Sequence, residues 1–233
     1  MENSLKLNAL LLAGALGIGL ALPLRANVIF DNSVHDLLTR FNPGTAEVGD
    51  EIVLGGSERY LTNFSFEFWG TATGSSFAGD VQARVRFYQN DGAPFNGYAT
   101  PGTTPFFDSG WFSIAPTPRN TEVFTAGSDF PTDGLLIPLP STVSNMTWSV
   151  QFEGMGDGDA AGVDIYSPPV TGQDYPDYWQ NDGTGWVLLT NSVPMDFAAR
   201  MEAQQIPEPS VIALSVLSGF GALGFAYRLR GRA

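Results

Sequence analysis

The chain has 233 residues, no cysteine and a formal net charge of −13 at pH 7. Without cysteine it can form no disulfide, no thiolate metal site and no cysteine nucleophile. Residues 27–205 contain 22 of the 24 acidic residues but only 6 of the 11 basic ones, which gives this stretch a net charge of −16. Such an excess of negative charge repels phosphate groups, which argues against binding of this stretch to nucleic acid or to anionic lipid.

The N-terminus has the pattern of a secretory signal peptide. Lys6 lies in a short polar start, an apolar run covers residues 9–22, and a small residue, Ala26, precedes the expected cleavage point. The alternative is a transmembrane helix, which is disfavoured because the run is shorter than the roughly 20 residues that a span needs. We therefore predict a signal peptide over residues 1–26 and a mature domain over residues 27–203.

Hydrophobic residues of the predicted domain recur with a period of two, which is typical of half-buried antiparallel strands. The clearest alternation covers residues 81–88 and 145–153, and Phe64, Phe66 and Phe68 repeat it. About ten strands with one apolar face each pack most simply as two sheets. We therefore predict an all-β, antiparallel two-sheet β-sandwich that is jelly-roll-like, with a closed barrel as the alternative. Further predicted strands are residues 28–30, 51–54, 110–114, 121–125, 135–139, 162–166, 185–190 and 195–201.

Two local features break the strand pattern. Residues 33–40 have helical spacing, with Val34, Leu37 and Leu38 on one side, and predict a short helix. The run of Asn, Asp and Gly at residues 181–183 predicts a hairpin, because these residue types tolerate the positive φ of a tight turn.

Residue types that support catalysis are sparse in the predicted domain. Its single histidine, His35, stands beside Asp36, where a solvated side chain is the simpler interpretation. Residues 27–205 contain no lysine, which excludes Schiff-base and P-loop chemistry. Glu67 lies between two phenylalanines and is a candidate acid for glycoside hydrolysis, although alternation directs its side chain away from the core. We predict a protein that is not an enzyme, with a polysaccharide hydrolase as the weaker alternative.

The glycine-rich segment of residues 154–164 predicts a calcium site. Asp157, Asp159 and Asp164 would supply carboxylate oxygens, which are the ligands that Ca²⁺ prefers. The segment does not follow the EF-hand pattern, and a solvated turn that uses Asp and Gly for backbone reasons is the alternative. No other cofactor is expected.

Aromatic residues gathered near one long connection predict contact with carbohydrate. They are Tyr166, Tyr175, Tyr178, Trp179 and Trp186. Aromatic faces stack on the C–H surfaces of sugars, but Trp and Tyr are also common in protein cores. Both interpretations stay open on the sequence.

Residues 204–233 consist of a short motif, an uncharged apolar run and a basic terminus. The run covers residues 211–227 and would span about 25 Å as a helix, long enough for a short transmembrane segment. Basic residues collect on the cytoplasmic side of a membrane, so the domain is predicted to lie on the opposite side. The motif is Pro207, Glu208 and Pro209, and the basic residues are Arg228, Arg230 and Arg232.

This arrangement, paired with a signal peptide, resembles the PEP-CTERM sorting domain, which exosortase-type enzymes recognise in bacteria that make extracellular polysaccharide. The resemblance implies recognition at Pro207, Glu208 and Pro209, with cleavage or transfer near them. It also implies an inner-membrane intermediate, followed by a location at the cell surface or outside the cell. The domain itself is similar to a group of surface proteins with this signal, through residues 66–70 and 83–88, but that group supplies no activity to carry over.

Together these features predict a non-enzymatic structural or adhesive protein of the cell envelope or extracellular matrix, acting in surface or biofilm polysaccharide. The alternative is a carbohydrate-binding module. The expected partners are the export translocon, signal peptidase, an exosortase-type enzyme and extracellular polysaccharide.

Overall fold

The computed structural model describes residues 25–139 and 143–205, so the apolar runs of both predicted targeting segments lie outside the described residues. In the described part every regular element is a β-strand, as predicted, and none of it forms a helix that could cross a membrane. The strands are β1 (Asn27–Asn32), β2 (Asp36–Phe41), β3 (Glu47–Val53), β4 (Tyr60–Thr71), β5 (Gln82–Tyr88), β6 (Phe107–Asp108), β7 (Phe112–Ser113), β8 (Thr117–Thr125), β9 (Leu135–Leu136), β10 (Asn145–Glu153), β11 (Ala160–Tyr166), β12 (Gln173–Asp174), β13 (Asp177–Asn181), β14 (Trp186–Thr190) and β15 (Ala199–Gln204).

Seven strands form sheet 1, which is built around the twelve-residue β4. Residues 60–66 of β4 pair with β15, and residues 68–71 pair with β11. Strands β8 and β9 also pair with β4, while β1 continues the sheet beyond β15 and β2 continues it beyond β11. Every one of these pairings is antiparallel.

Eight strands form sheet 2, in the order β14, β13, β3, β10, β5 and β6, with β12 pairing with β3 and β7 with β5. These pairings are antiparallel as well. The two sheets form a sandwich-like arrangement, which confirms the prediction of two packed antiparallel sheets.

Aromatic side chains from both sheets fill the space between them. Trp148 in β10 of sheet 2 is fully buried, and its ring centroid lies 5.4 Å from that of Phe64 and 5.8 Å from that of Phe66, both in β4 of sheet 1. Phe197, just before β15, packs edge-on against the same tryptophan at 6.0 Å. Tilted and edge-to-face pairs of this kind each contribute about 0.5–1.5 kcal/mol beyond the burial of their area, so Trp148 joins the two sheets.

The first and last strands of the domain pair with each other. Asn27 lies opposite Ala203 and Asn32 lies opposite Ala199, and β15 is in turn paired with β4. The apolar residues Ile29 and Phe30 of β1 are fully buried as a result. The point where the described domain begins and the point where it ends are therefore neighbours.

The predicted helix over residues 33–40 is wrong. Residues 36–41 form strand β2, which pairs with β11, and Leu37 and Leu38 are exposed rather than packed on one side. A helix of one or two turns gains few hydrogen bonds for the cost of its nucleus, whereas the edge of β11 offers a ready ladder of backbone partners.

The predicted hairpin is confirmed. Strands β13 and β14 pair antiparallel, with Asn181 opposite Trp186. The carboxamide Oδ1 of Asn181 accepts a hydrogen bond from the backbone N–H of Gly183, which adopts a φ of 98°. A side chain that bonds the backbone two residues on stabilises the turn in the way that Asn was expected to.

Replacing Trp148 with alanine should lower the free energy of unfolding by about 3–5 kcal/mol, because the change removes an aromatic group that both sheets contact. Urea unfolding of the full-length protein in mild detergent would measure this. Trp111→Ala is the matched control, since Trp111 is partly exposed, and it should cost less than half as much. Equal costs for the two variants would contradict the packing described above.

Candidate functional site

Charged side chains gather on the outer face of sheet 1, where β2, β4, β8 and β11 lie together. Glu67 points outward, as alternation predicts, because its neighbours Phe66 and Phe68 occupy the core. Strand register brings the other members close, since Tyr166 lies opposite Asp36 across the β11–β2 pair. We call this group the outer network: Asp36, Arg40, Glu67, Arg119, Asp164 and Tyr166.

Arg119 is the centre of the outer network. Its Nη2 atom donates to Oδ2 of Asp36 at 2.5 Å, and its Nε atom lies 3.4 Å from Oε2 of Glu67 and 3.7 Å from Oδ2 of Asp164. Its guanidinium carbon lies 5.6 Å from the ring centroid of Tyr166, whose hydroxyl donates to Oε2 of Glu67 at 2.8 Å. One guanidinium thus holds three carboxylates from three different strands.

A second guanidinium supports the same group from the side. The Nε atom of Arg40 lies 3.6 Å from Oδ1 of Asp164, and its guanidinium carbon lies 5.7 Å from the ring centroid of Trp69. Asp164 is only 1% exposed, so its charge depends on these two arginines. Burial raises the pKa of Asp164, and the fields of Arg119 and Arg40 oppose that rise.

The remaining members differ in how their surroundings affect ionisation. Burial alone would raise the pKa of Asp36, but hydrogen bonds from Arg119 and from the backbone N–H of Leu38 outweigh it and the pKa is lowered. Burial, followed by the hydrogen bond to Glu67, raises the pKa of Tyr166 far above its usual range.

Two open pockets flank the outer network. One has a volume of ≈ 170 Å³ and is lined by polar residues (Ser33, Ser65, Glu67 and Thr121) and by apolar ones (Phe66, Ala198 and Ala199). The other has a volume of ≈ 370 Å³ and includes Arg40 in its lining. The polar side chains that line the two pockets can form hydrogen bonds and ion pairs.

Three of the five aromatic residues predicted to contact sugar are buried. Tyr166 is 3% exposed in the outer network, and Tyr178 packs in the core against Phe41 at 5.1 Å. Trp179 is fully buried, whereas Trp186 is partly exposed and Tyr175 is 43% exposed. Truncating Trp179 would therefore disturb folding rather than report on binding.

The three aspartates of the predicted calcium site have separate environments. Both carboxylate oxygens of Asp159 accept hydrogen bonds from backbone N–H groups, those of Ala78, Gly79 and Gly156. Asp164 belongs to the outer network, and Asp157 is exposed. In the ranges that the structure describes, no three or more His, Cys, Asp or Glu side chains are arranged as a group that could hold a metal ion. Calcium binding by these residues stays a prediction.

The predicted sorting motif and basic terminus lie outside the described residues. Those are Pro207, Glu208, Pro209, Arg228, Arg230 and Arg232. The last described strand, β15, ends at Gln204, so the motif follows the folded domain almost at once.

A cluster that the sequence analysis missed lies inside the sandwich. Asp50 in β3 is 0% exposed, and its Oδ2 atom accepts a hydrogen bond from the backbone N–H of Phe197 at 2.6 Å. Its carboxyl group lies beside that of Asp174 in β12, close enough for each to affect the ionisation of the other. Asp196, just before β15, is 4% exposed and close enough to affect the ionisation of both. We call Asp50, Asp174 and Asp196 the buried acid cluster.

Burial raises the pKa of every member of the buried acid cluster. The pKa of Asp174 rises to about 8, chiefly through burial and with a further contribution from the charge of Asp196. The pKa of Asp50 is raised well above its usual value by burial and by the adjacent Asp174. Two carboxyl groups that lie side by side in a buried place disfavour ionisation of both at once, because no compensating charge is close to them.

Comparison with known proteins adds no relative to this description: no protein family model, no curated protein and no solved structure matches the chain.

The outer network leads to a prediction about Arg119. Arg119→Gln should lower the free energy of unfolding by about 1–3 kcal/mol at pH 7.5, because it removes one of the two arginines beside the buried Asp164. Losing Arg119 raises the folded-state pKa of Asp164 further, and a group with a raised folded pKa destabilises progressively as pH rises through that value. The loss should therefore be smaller at pH 5.0 than at pH 7.5 in urea unfolding.

The control for this prediction is the double variant Arg119→Gln with Asp164→Asn. It removes the buried charge together with its partner, so it should be more stable than Arg119→Gln alone at pH 7.5. An unchanged cost at the two pH values would show that Asp164 does not depend on Arg119.

Proposed function

We propose that the chain is an exported, non-enzymatic protein of the bacterial cell surface or extracellular matrix, delivered by an exosortase-type sorting system. The observation that carries the proposal is that the two predicted targeting segments directly precede and follow the folded domain along the sequence. Strand β1 starts at Asn27, directly after the predicted cleavage point at Ala26, and the motif at Pro207 follows β15 with only Gln205 and Ile206 between the last strand residue and the motif.

The pairing of β1 with β15 supports this topology. Asn27 and Ala203 are directly opposite each other, so the segments that precede and follow the domain connect to adjacent points of one sheet. Two membrane-directed segments that attach side by side are compatible with a domain held on one side of a membrane. The arginines near the C-terminus favour the cytoplasmic side for that end, which leaves the domain on the outer side.

The charge pattern of the domain supports a role outside the cytoplasm in contact with polar polymers. Its net charge of −16 keeps it soluble and away from anionic lipid. The outer network and its two pockets present hydroxyl, carboxylate and guanidinium groups, which can hydrogen-bond to extracellular polysaccharide. In this proposal the sandwich has a jelly-roll-like topology, supported by a chain that passes from sheet 1 at β2 to sheet 2 at β3 and back at β4.

The partners in this proposal act in sequence. The translocon exports the chain and signal peptidase removes residues 1–26, which leaves an intermediate held in the inner membrane by residues 211–227. An exosortase-type enzyme then recognises the motif, and the processed protein reaches the cell surface or the medium.

Mutation of the sorting motif in the native host tests the proposal. Mass spectrometry of the wild-type protein from the surface or medium should find a C-terminus near Pro209, without residues 211–227. Glu208→Ala should accumulate in the membrane fraction with the C-terminal segment intact. Gln205→Ala is the control, because Gln205 is exposed and outside the motif, and it should be processed like the wild type.

Identical processing of Glu208→Ala and the wild type would overturn recognition of the motif. Recovery of the intact wild-type precursor from the cytosol would overturn export itself.

A further inference from the structure

The buried acid cluster has oxygen atoms that the described structure leaves without partners. Oδ1 of Asp50, Oδ2 of Asp174 and Oδ1 of Asp196 are inaccessible to solvent and receive no hydrogen bond. A buried acceptor without a partner typically costs about 1–3 kcal/mol, more when it is charged. Three such atoms in one cluster therefore point to a ligand that contacts them.

The cationic side chains of the domain cannot fill this role, because they are used elsewhere. Residues 27–205 contain six arginines and no lysine. Five of the arginines make ion pairs with carboxylates outside the cluster, and Arg59 donates to the backbone carbonyls of Gly56 and Glu58. The ring of His35 bonds to the carbonyl oxygen of Pro168. The paired arginines are Arg40, Arg84, Arg86, Arg119 and Arg200.

The groups around the cluster increase its negative charge rather than offsetting it. Asp177, which opens β13, acts on both Asp174 and Asp196 and disfavours their ionisation. The side chain of Ser167 favours ionisation of Asp196, but burial outweighs this effect. Isolated charges of this kind are not tolerated in a protein interior, so either protons or a bound cation must neutralise them.

We propose that Asp50 and Asp174 bind a divalent cation of the calcium class, with Asp196 contributing negative charge beside it. The side-chain donors are all carboxylate oxygens, which hard cations prefer to nitrogen or sulfur. The described residues contain no group of three or more His, Cys, Asp or Glu side chains that could hold a metal ion. The proposed site therefore has two carboxylate ligands, and Ca²⁺ commonly completes its coordination shell with backbone carbonyls and water.

The position of the cluster gives such an ion a structural role. Asp50 and Asp174 belong to sheet 2, whereas Asp196 leads into β15 of sheet 1. Asp50 already connects the two sheets through its hydrogen bond to the backbone of Phe197. A cation at this point would hold the last strand against sheet 2, and this inference does not depend on the proposed export or sorting.

Thermal unfolding of the full-length protein in mild detergent at pH 7.5 tests the proposal. After removal of metal with EDTA, 1 mM CaCl₂ should raise Tm by about 5–10 °C if the dissociation constant is about 100-fold below the free calcium concentration. Asp174→Asn should abolish the shift. Asp157→Asn, which alters the exposed glycine-rich segment instead, should retain it.

The variants separate this site from the one at residues 154–164. Equal Tm values in CaCl₂ and EDTA would overturn the proposal. A shift that survives Asp174→Asn but is lost in Asp157→Asn would overturn it in favour of the glycine-rich segment.

Calorimetric titration with CaCl₂ decides the matter if Asp174→Asn does not fold. Binding of one calcium ion per chain by both the wild type and Asp157→Asn supports the buried site. Absence of binding, or loss of binding in Asp157→Asn, contradicts it.

Discussion

The pairing between β1 and β15 is the constraint on which the rest of the structure depends. It holds Ile29 and Phe30 in the core and fixes β15 between β1 and β4. Phe197, immediately before β15, packs on Trp148 and donates its backbone N–H to Asp50. A residue near the end of the domain therefore takes part in the contact between the two sheets, alongside Phe64 and Phe66 of β4.

This pairing also links the fold to the proposed export. A domain that closes through its first and last strands connects to both flanking segments at adjacent points. If both segments insert in the membrane before processing, the domain does not have to be stretched between them. Removal of either segment leaves the hydrogen bonds of β1 and β15 intact, because those bonds lie wholly within residues 27–203.

The domain has few arginines, and several of them contact more than one carboxylate. Arg119 alone contacts Asp36, Glu67 and Asp164, and Arg86 contacts both Glu47 and Asp108. The six arginines of residues 27–205 are all engaged outside the buried acid cluster, so none of them offsets its charge.

Much of the fold could be predicted from the sequence, because alternation reports directly which face of a strand is buried. The strands containing Phe64, Val85 and Trp148 are read correctly in this way. The short helix at residues 33–40 could not be rejected, since the strand β2 depends on pairing with β11 more than a hundred residues later. Asp50 did carry a signal: it shares the inward face of β3 with Val48 and Ile52, where a carboxyl group is out of place.

The rest of the candidate sites could not be found from sequence spacing. Asp174 and Asp196 come close to Asp50 only through the sheet topology. Arg119 in β8 reaches Asp164 in β11 across strand β4, which pairs with both. The burial of Trp179 could not be predicted from the sequence either, because it depends on residues such as Phe95. Phe95 lies in a loop far away in the sequence, and its ring packs edge-on against that of Trp179 with a centroid distance of 6.4 Å. Local pattern gives the face of a strand, but not what covers that face.

The proposed topology, with the domain outside the cytoplasm and the C-terminus inside it, can be tested directly because the chain contains no cysteine. Single substitutions, Ser128→Cys on an exposed turn of the domain and Gly231→Cys beyond the apolar run, would be placed in the Glu208→Ala background and probed with a membrane-impermeant maleimide on spheroplasts of the native host. A domain outside the cytoplasm with a cytoplasmic C-terminus predicts labelling of Ser128→Cys in intact spheroplasts and labelling of Gly231→Cys only after the membrane is permeabilised. Labelling in the opposite order would contradict it.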